Sequence, residues 1–86
     1  MGTIQLTKEE RKFLMQLYKN SSSKIEKVNS LSLLLAHRGV SEKQIAKTLC
    51  VAPDKVNLLV ILWKVTQGQE KYEFLHMDFF NLSLAY

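Results

Sequence analysis

Three helix-start signals in the first half of the chain constrain the fold more than any other feature of the sequence. Each is a serine or threonine followed three residues later by a glutamate or glutamine, a pattern in which the two residues can satisfy each other's orphan backbone N–H groups. The pairs are Thr7 with Glu10, Ser23 with Glu26, and Ser41 with Gln44. Apolar residues follow each signal at the three- and four-residue spacings of an amphipathic helix. The sequence therefore predicts an all-α fold.

These signals, together with residues that end helices, predict the bounds of four helices. The helices run from about Lys8 to Lys19, from Ser23 to about His37, from Glu42 to Leu49, and from Pro53 to Val65 or Thr66. The second helix carries an apolar stripe of Ile25, Val28, Leu31 and Leu35. Gly39 is expected to end this helix in the left-handed conformation, and Gly68 to end the fourth. Pro53 suits the first position of a helix, where its missing N–H is not needed.

The segment 70–86 carries two competing periodicities. Tyr72, Leu75, Phe79, Leu82 and Tyr86 lie on one helical stripe, whereas Tyr72-Glu73-Phe74 and Leu82-Ser83-Leu84 alternate as strands do. We favour a helix that packs on the rest of the domain or mediates dimerisation. The predicted fold is a small domain of four or five helices that contains a helix-turn-helix at about 41–65.

Length and composition exclude several classes of protein. With 86 residues, the chain (1–86) forms one domain without room for a second core. Cys50 is the single cysteine, so the chain has no intrachain disulfide, and with two histidines it lacks the ligands of a structural zinc site. No apolar run approaches the roughly 18 to 20 residues of a membrane span. We expect a cytoplasmic protein with no membrane contact, metal, cofactor or small-molecule substrate.

Basic residues are concentrated in the first half of the chain. Residues 1–47 hold nine basic and four acidic groups, whereas residues 48–86 hold three and four, which gives formal charges of +5 and −1. This bias is compatible with a polyanionic partner, but it also occurs in soluble domains that do not bind nucleic acid.

Residues 41–62 have the spacing of a helix-turn-helix, in which a short helix crosses a second one through a three-residue turn. The turn is Cys50-Val51-Ala52, and Cys50 is expected to be a small buried apolar group. The positions that such a unit must bury are apolar: Ile45, Ala46, Leu49, Val51, Val56 and Leu59. A helical hairpin that binds no ligand has the same spacing. The spacing alone therefore does not distinguish a ligand-binding helix-turn-helix from such a hairpin.

Features before the motif and within it form a longer pattern. They are Leu6-Thr7-Lys8-Glu9-Glu10, the serine-rich break at 21–23, the leucine-rich stretch Leu31–Ala36, Gly39-Val40-Ser41-x-x-x-Ile45-Ala46-x-x-Leu49-x-Val51, and Trp63. In order and spacing, residues 5–75 resemble the N-terminal DNA-binding region of mariner-related insertion-sequence transposases. The resemblance implies a homeodomain-like helix-turn-helix that binds double-stranded DNA at the ends of a mobile element.

The chain departs from the pattern of that family at two positions of the turn, where Cys50 replaces a usual glycine and Ala52 replaces a usual serine or threonine cap. The nuclease of the family also needs a set of carboxylates that hold two metal ions, and no such set can be identified in this sequence. We therefore expect no enzymatic activity.

The first functional hypothesis is a small DNA-binding regulator of transcription or transposition that acts as a homodimer. Lysine and arginine side chains would contact phosphates, and residues in the first turn of the last motif helix would contact base edges. The candidate residues are Arg38, Lys43, Gln44, Lys47, Asp54, Lys55 and Asn57.

The second hypothesis is a protein interaction module on a former DNA-binding scaffold. If Val56, Leu59 and Trp63 face the core, then Leu58, Ile61 and Val65 form an apolar stripe on the opposite side of the helix. That stripe must be covered by the segment 70–86 or by a second chain. Phe79 and Phe80 extend the candidate interface.

The two histidines carry no functional assignment. His37 stands near a helix C-terminus and is expected to interact with the last carbonyls of that helix. His76 has no partner that can be identified from the sequence.

Overall fold

The computed structural model describes residues 4–78, and helices account for most of them. The elements are α1 (Lys8–Asn20), α2 (Lys24–His37), α3 (Glu42–Leu49), α4 (Pro53–Val65), the short helix α5 (Glu70–Glu73) and a 3-10 turn (Phe74–His76). Within residues 4–78 there is no strand. The prediction of a small all-α domain with four or five helices is confirmed.

The three capping signals begin the helices that they predict. Thr7 forms the complete box, in which both reciprocal hydrogen bonds are present. Ser23 and Ser41 each accept the backbone N–H three residues further on. The box at Ser23 is not reciprocal, because the Glu26 carboxylate accepts a hydrogen bond from the Ser21 hydroxyl at 2.6 Å.

α2 and α3 end in the same backbone motif, with a left-handed residue after the last turn. At the end of α3, the N–H of Val51 donates to the carbonyl of Ala46 at 2.9 Å, which is the six-to-one bond of a Schellman motif. The left-handed residue is Gly39 (φ 93°) after α2, as predicted, and Cys50 (φ 58°) after α3. Among the described residues, Cys50 alone has a positive φ without being glycine.

Cys50 is exposed, so the prediction that it is buried is wrong. The left-handed backbone places it at the rim of the turn, where it lines an open groove together with Lys24 and Ala52. A sequence pattern that marks the turn positions of the motif does not reveal this orientation.

α4 ends at Val65, as predicted, but the prediction that Gly68 closes it is wrong. Thr66 has an extended backbone, and its hydroxyl donates to the carbonyl of Leu62 at 2.7 Å. Gly68 (φ 65°) lies in the turn that leads to α5. The hydroxyl of Thr66 therefore caps the helix in place of a glycine.

α2 is the central helix, because it packs against α1, α3, α4 and the 3-10 turn. Its buried residues are accordingly spread around the helix: Asn29, Ser30, Ser32, Leu33, Leu34 and Ala36. The buried hydroxyls of Ser30 and Ser32 donate to carbonyls one turn earlier, at 2.7 and 2.8 Å. The apolar stripe noted in the sequence, Ile25, Val28, Leu31 and Leu35, is only half-buried.

Within residues 70–78, the chain does not form the continuous helix that we favoured. α5 ends at Glu73, and the backbone becomes extended at Met77. The buried amide of Asn29 explains this change, because its Nδ2 donates to the carbonyls of Leu75 and Met77 at 2.8 and 3.0 Å. Phe79, Phe80, Leu82 and Tyr86 lie outside the described residues.

Replacing Cys50 with glycine should stabilise the fold. A residue with a side chain is destabilised by roughly 1–2 kcal/mol in the left-handed region, and glycine removes this strain. Glycine also loses more conformational entropy on folding, which offsets about 0.5–1 kcal/mol of the gain. We expect Cys50→Gly to raise the free energy of unfolding by about 0.5–1 kcal/mol in urea denaturation.

Cys50→Ala is the matched control, because it removes the thiol and keeps the Cβ atom. We expect its free energy of unfolding to stay within about 0.5 kcal/mol of the wild type. Equal stability of the glycine and alanine variants would show that the turn stores no strain at this position.

Candidate nucleic-acid interface

The first turn of α4 faces outward. α3 and α4 pack on each other across the three-residue turn, with Ile45 and Ala46 buried. In the first turn of α4, Asp54 and Asn57 are exposed, Lys55 is half-buried, and Val56 points into the core. The side chains of Asp54 and Asn57 are therefore open to solvent.

The outer face of α3 carries the other polar candidates. Lys43, Gln44 and Lys47 are exposed and lie on one side of the helix, opposite Ile45 and Ala46. Neither lysine forms an ion pair with a carboxylate of residues 4–78. Their charges are thus available to an anionic ligand.

Arg38 belongs to a different part of the surface. It is exposed after the last turn of α2, and it lines a groove between α1 and α2 together with Arg11 and Tyr18. The structure therefore associates Arg38 with α1, a helix from which the sequence suggested no site residue.

The N-terminus of α4 has no side-chain cap, since Ala52 occupies that position. Pro53 has no N–H, and the N–H of Lys55 donates to the carbonyl of Ala52 at 3.1 Å. The carboxylate of Asp54 lies in this first turn, where it also interacts favourably with the positive end of the helix dipole. Asp54 thus has a structural role that is independent of any ligand.

The outward face of α4 changes in character along the helix. Asp54 and Asn57 make its first turn polar, whereas Ile61 and Val65 further along are apolar and are 45% and 67% exposed. Leu58 is half-buried and packs against the core. Two of the three residues of the predicted apolar stripe are therefore open to solvent.

Residues 70–78 pack on the opposite side of α4. The buried ring of Trp63 makes edge contacts with Tyr72 and Phe74, at centroid distances of 5.7 and 6.2 Å. Lys71 Nζ lies 4.8 Å from the centroid of the Trp63 ring and 3.2 Å from Glu10 Oε2. The described part of the segment 70–86 thus covers Trp63 and leaves Ile61 and Val65 exposed.

The hydroxyl of Tyr72 at this contact has a raised pKa. Burial raises the pKa of its hydroxyl, and the nearby carboxylates of Glu10 and Glu9 raise it further. The Tyr72 ring also makes an edge contact with Phe13 at a centroid distance of 4.5 Å, so it joins α1 to α5.

Both histidines have partners that the sequence did not indicate. His37 Nδ1 accepts the backbone N–H of Leu6 at 3.1 Å, so the expected interaction with the last carbonyls of α2 is wrong. His76 pairs with the carboxylate of Glu26, although the sequence suggested no partner for it. Each contact joins residues that are at least thirty-one positions apart, and local patterns carry no signal for such pairs.

The carboxylate of Glu26 ties the 3-10 turn to the start of α2. The hydrogen bond from the Ser21 hydroxyl lowers the pKa of Glu26 and outweighs the effect of burial, and the contact with His76 lowers it further. Glu26 is therefore ionised over a wider range of pH than an ordinary glutamate.

Residues 4–78 were also compared with the requirements of a metal site and of a membrane span. Residues 4–78 contain no group of three histidine, cysteine, aspartate or glutamate side chains that could hold a metal ion. Each helix in this range is too short or too polar to cross a membrane. Comparisons with family models, curated proteins and solved structures return no match. The geometry of the surface is thus the basis for any functional conclusion.

The contacts of Glu26 predict a specific pH dependence of stability. Because its folded pKa is lowered, its carboxylate contributes stability that is present above the ordinary glutamate pKa and is lost as pH falls through the lowered value. We expect Glu26→Gln to be less stable than the wild type at neutral pH, and the difference to shrink on acidification. Urea denaturation at a series of pH values measures this difference in the free energy of unfolding.

Glu73→Gln is the matched control, since Glu73 is exposed on α5. Its stability relative to the wild type should change little with pH. A difference between Glu26→Gln and the wild type that persists unchanged into acid would contradict the assignment.

Proposed function

We propose that the protein binds double-stranded DNA through α3 and the first turn of α4, as a small regulator of transcription or transposition without a catalytic domain. The observation that carries the proposal is the outward first turn of α4, with Asp54 and Asn57 exposed, together with the exposed lysines of the packed helix α3. The resemblance to the transposase DNA-binding region is part of the proposal and accounts for the order of the helices.

The exposed side chains suit the chemistry of duplex DNA. Asn57 and Gln44 carry amides, which can bond the N6 and N7 edge of adenine, and Asp54 can accept from the N4 amino group of cytosine. Lys43 and Lys47 carry no base information and would contact phosphates on either side. A helix that presents only its first turn reads few base pairs, so a dimer with two half-sites would extend the site.

The number of cations predicts how binding depends on salt. If Lys43, Lys47 and Lys55 each neutralise one phosphate, the slope of log K against log salt is about −3. We therefore propose weak binding with a shallow salt dependence, in contrast to proteins whose recognition helices carry many basic residues.

DNA titration of the wild type and two variants tests this proposal. A site is first selected from a random duplex pool at low salt, and affinities are then measured by fluorescence anisotropy. Lys47→Ala should weaken binding to all duplexes and reduce the salt slope by about one. Asn57→Ala should cost roughly 1–3 kcal/mol on the selected site and less on unrelated DNA.

Lys12→Ala and Asn20→Ala are the matched controls, because both residues are exposed on α1. They should bind DNA as the wild type does. The proposal fails if no duplex binds at low salt, or if the controls lose as much affinity as the variants of α3 and α4.

The exposure of Ile61 and Val65 favours a second candidate function, a protein interaction module. Exposed apolar side chains on neighbouring turns of one helix are typical of a contact surface. As a homodimer interface, this surface would also bring two copies of the DNA-binding turn together. Its partner in this candidate function is thus a second copy of the chain or another protein.

Sedimentation velocity tests the homodimer. We expect the wild type to dimerise and Ile61→Asp to weaken the dimer at least about tenfold, because a buried unpaired charge is costly at an interface. Gln16→Asp, an exposed substitution on α1, should leave the dimer unchanged. A wild type that remains monomeric at high concentration would exclude self-association.

A further inference from the structure

We propose that the groove between α1 and α2 binds an acidic amphipathic helix of a partner protein. The proposal does not depend on DNA binding, because the groove is formed by α1 and α2, while the proposed DNA contacts of α3 and α4 lie outside it. It rests on the lining of the groove, on the charges at its rim and on the hydrogen bonding of one histidine.

The lining of the groove is apolar. The open groove has a volume of about 690 Å³ and lies between Met15 and Tyr18 on α1 and the leucines Leu31, Leu34 and Leu35 on α2. Met15 and Tyr18 are 41% and 39% exposed, although large apolar side chains are usually better covered. The leucines stand at spacings of three and four, which is the repeat that accepts the apolar face of another helix.

The polar residues that line the groove are donors. Arg11, His37 and Arg38 line it, and no aspartate or glutamate is among the described residues that do so. Neither arginine forms an ion pair with residues 4–78. Because His37 Nδ1 accepts the N–H of Leu6, its neutral ring carries the proton on Nε2 and is a donor there. The groove therefore combines an apolar floor with cationic groups that lack carboxylate partners.

This combination selects the class of partner. A guanidinium group matches a carboxylate with two parallel hydrogen bonds, so the two arginines suit glutamate or aspartate side chains. The leucine floor has no counterpart in DNA binding, where protein surfaces are polar and strongly positive. The formal charge of +5 on residues 1–47 attracts an acidic partner at long range. An amphipathic helix with leucines on one face and glutamates beside them satisfies all three features.

A designed peptide tests the proposal on the full chain. The probe is a fluorescein-labelled helical peptide with leucines at spacings of three and four, flanked by glutamates. A second peptide of the same length carries lysine at each glutamate position. We expect the acidic peptide to bind, with perturbed amide NMR signals confined to the residues that line the groove, and the lysine peptide not to bind.

Two pairs of matched variants locate the contacts. Arg11→Glu should weaken binding of the acidic peptide by about tenfold or more, because a charge-assisted hydrogen bond is replaced by repulsion. Lys12→Glu makes the same charge change at the next residue of α1, outside the groove, and should change the affinity by less than about twofold. Met15→Glu should weaken binding, whereas Met77→Glu, at a methionine that is 50% exposed elsewhere, should not.

Several outcomes would overturn the proposal. They are no binding of the acidic peptide, equal binding of the lysine peptide, perturbed signals outside the groove, and equal losses for Arg11→Glu and Lys12→Glu. If Arg11→Glu abolishes DNA binding while the acidic peptide does not bind, the groove is a nucleic-acid surface instead. Thermal unfolding of each variant shows whether a loss of binding comes from a loss of folding. Asn57→Ala, in the proposed DNA site, should bind the peptide as the wild type does.

Discussion

The rotational setting of α4 is the constraint on which the proposed DNA-binding surface depends. Burial of Val56, Leu59 and Trp63 fixes which side of this helix faces the core. Because each residue turns an α-helix by about 100°, Asp54 and Ile61 are then directed to the solvent. The same burial thus produces a polar first turn and an apolar surface on one helix. DNA binding by the former and protein contact by the latter are compatible in a dimer.

α2 holds the other elements in place, because it packs against α1, α3, α4 and the 3-10 turn. Its small residues Ser30 and Ser32 are buried without unpaired hydroxyls, since they donate to carbonyls of their own helix. The Asn29 amide donates to the carbonyls of Leu75 and Met77, so residues 74–77 pack on α2, and Phe74 lies beside Trp63. This arrangement leaves the outward face of α4 uncovered by residues 70–78.

Local signals in the sequence were sufficient to predict α1 to α4. Ser41 and Pro53 mark the starts of α3 and α4, and the apolar period predicted that Asn57 faces outward. The sequence could not predict the conformation of residues 74–77, because the hydrogen bonds of Asn29 to Leu75 and Met77 join residues at least forty-six positions apart. The α1–α2 groove was missed for a similar reason, since its lining residues belong to two helices that meet only in the folded protein. A search for basic residues that have no acidic residue three or four positions away would have included Arg11.

Paramagnetic relaxation by a soluble gadolinium chelate, measured by NMR with and without duplex DNA, tests the central claim most directly. In the free protein, the chelate should broaden the signals of Asp54, Asn57 and Ile61 strongly and those of Val56 and Leu59 little. Addition of the selected duplex should protect Asp54 and Asn57 and leave the core signals unchanged. Weak broadening of Asp54 and Asn57 in the free protein would contradict the outward setting of α4. Broadening that DNA does not alter would contradict the proposed mode of binding.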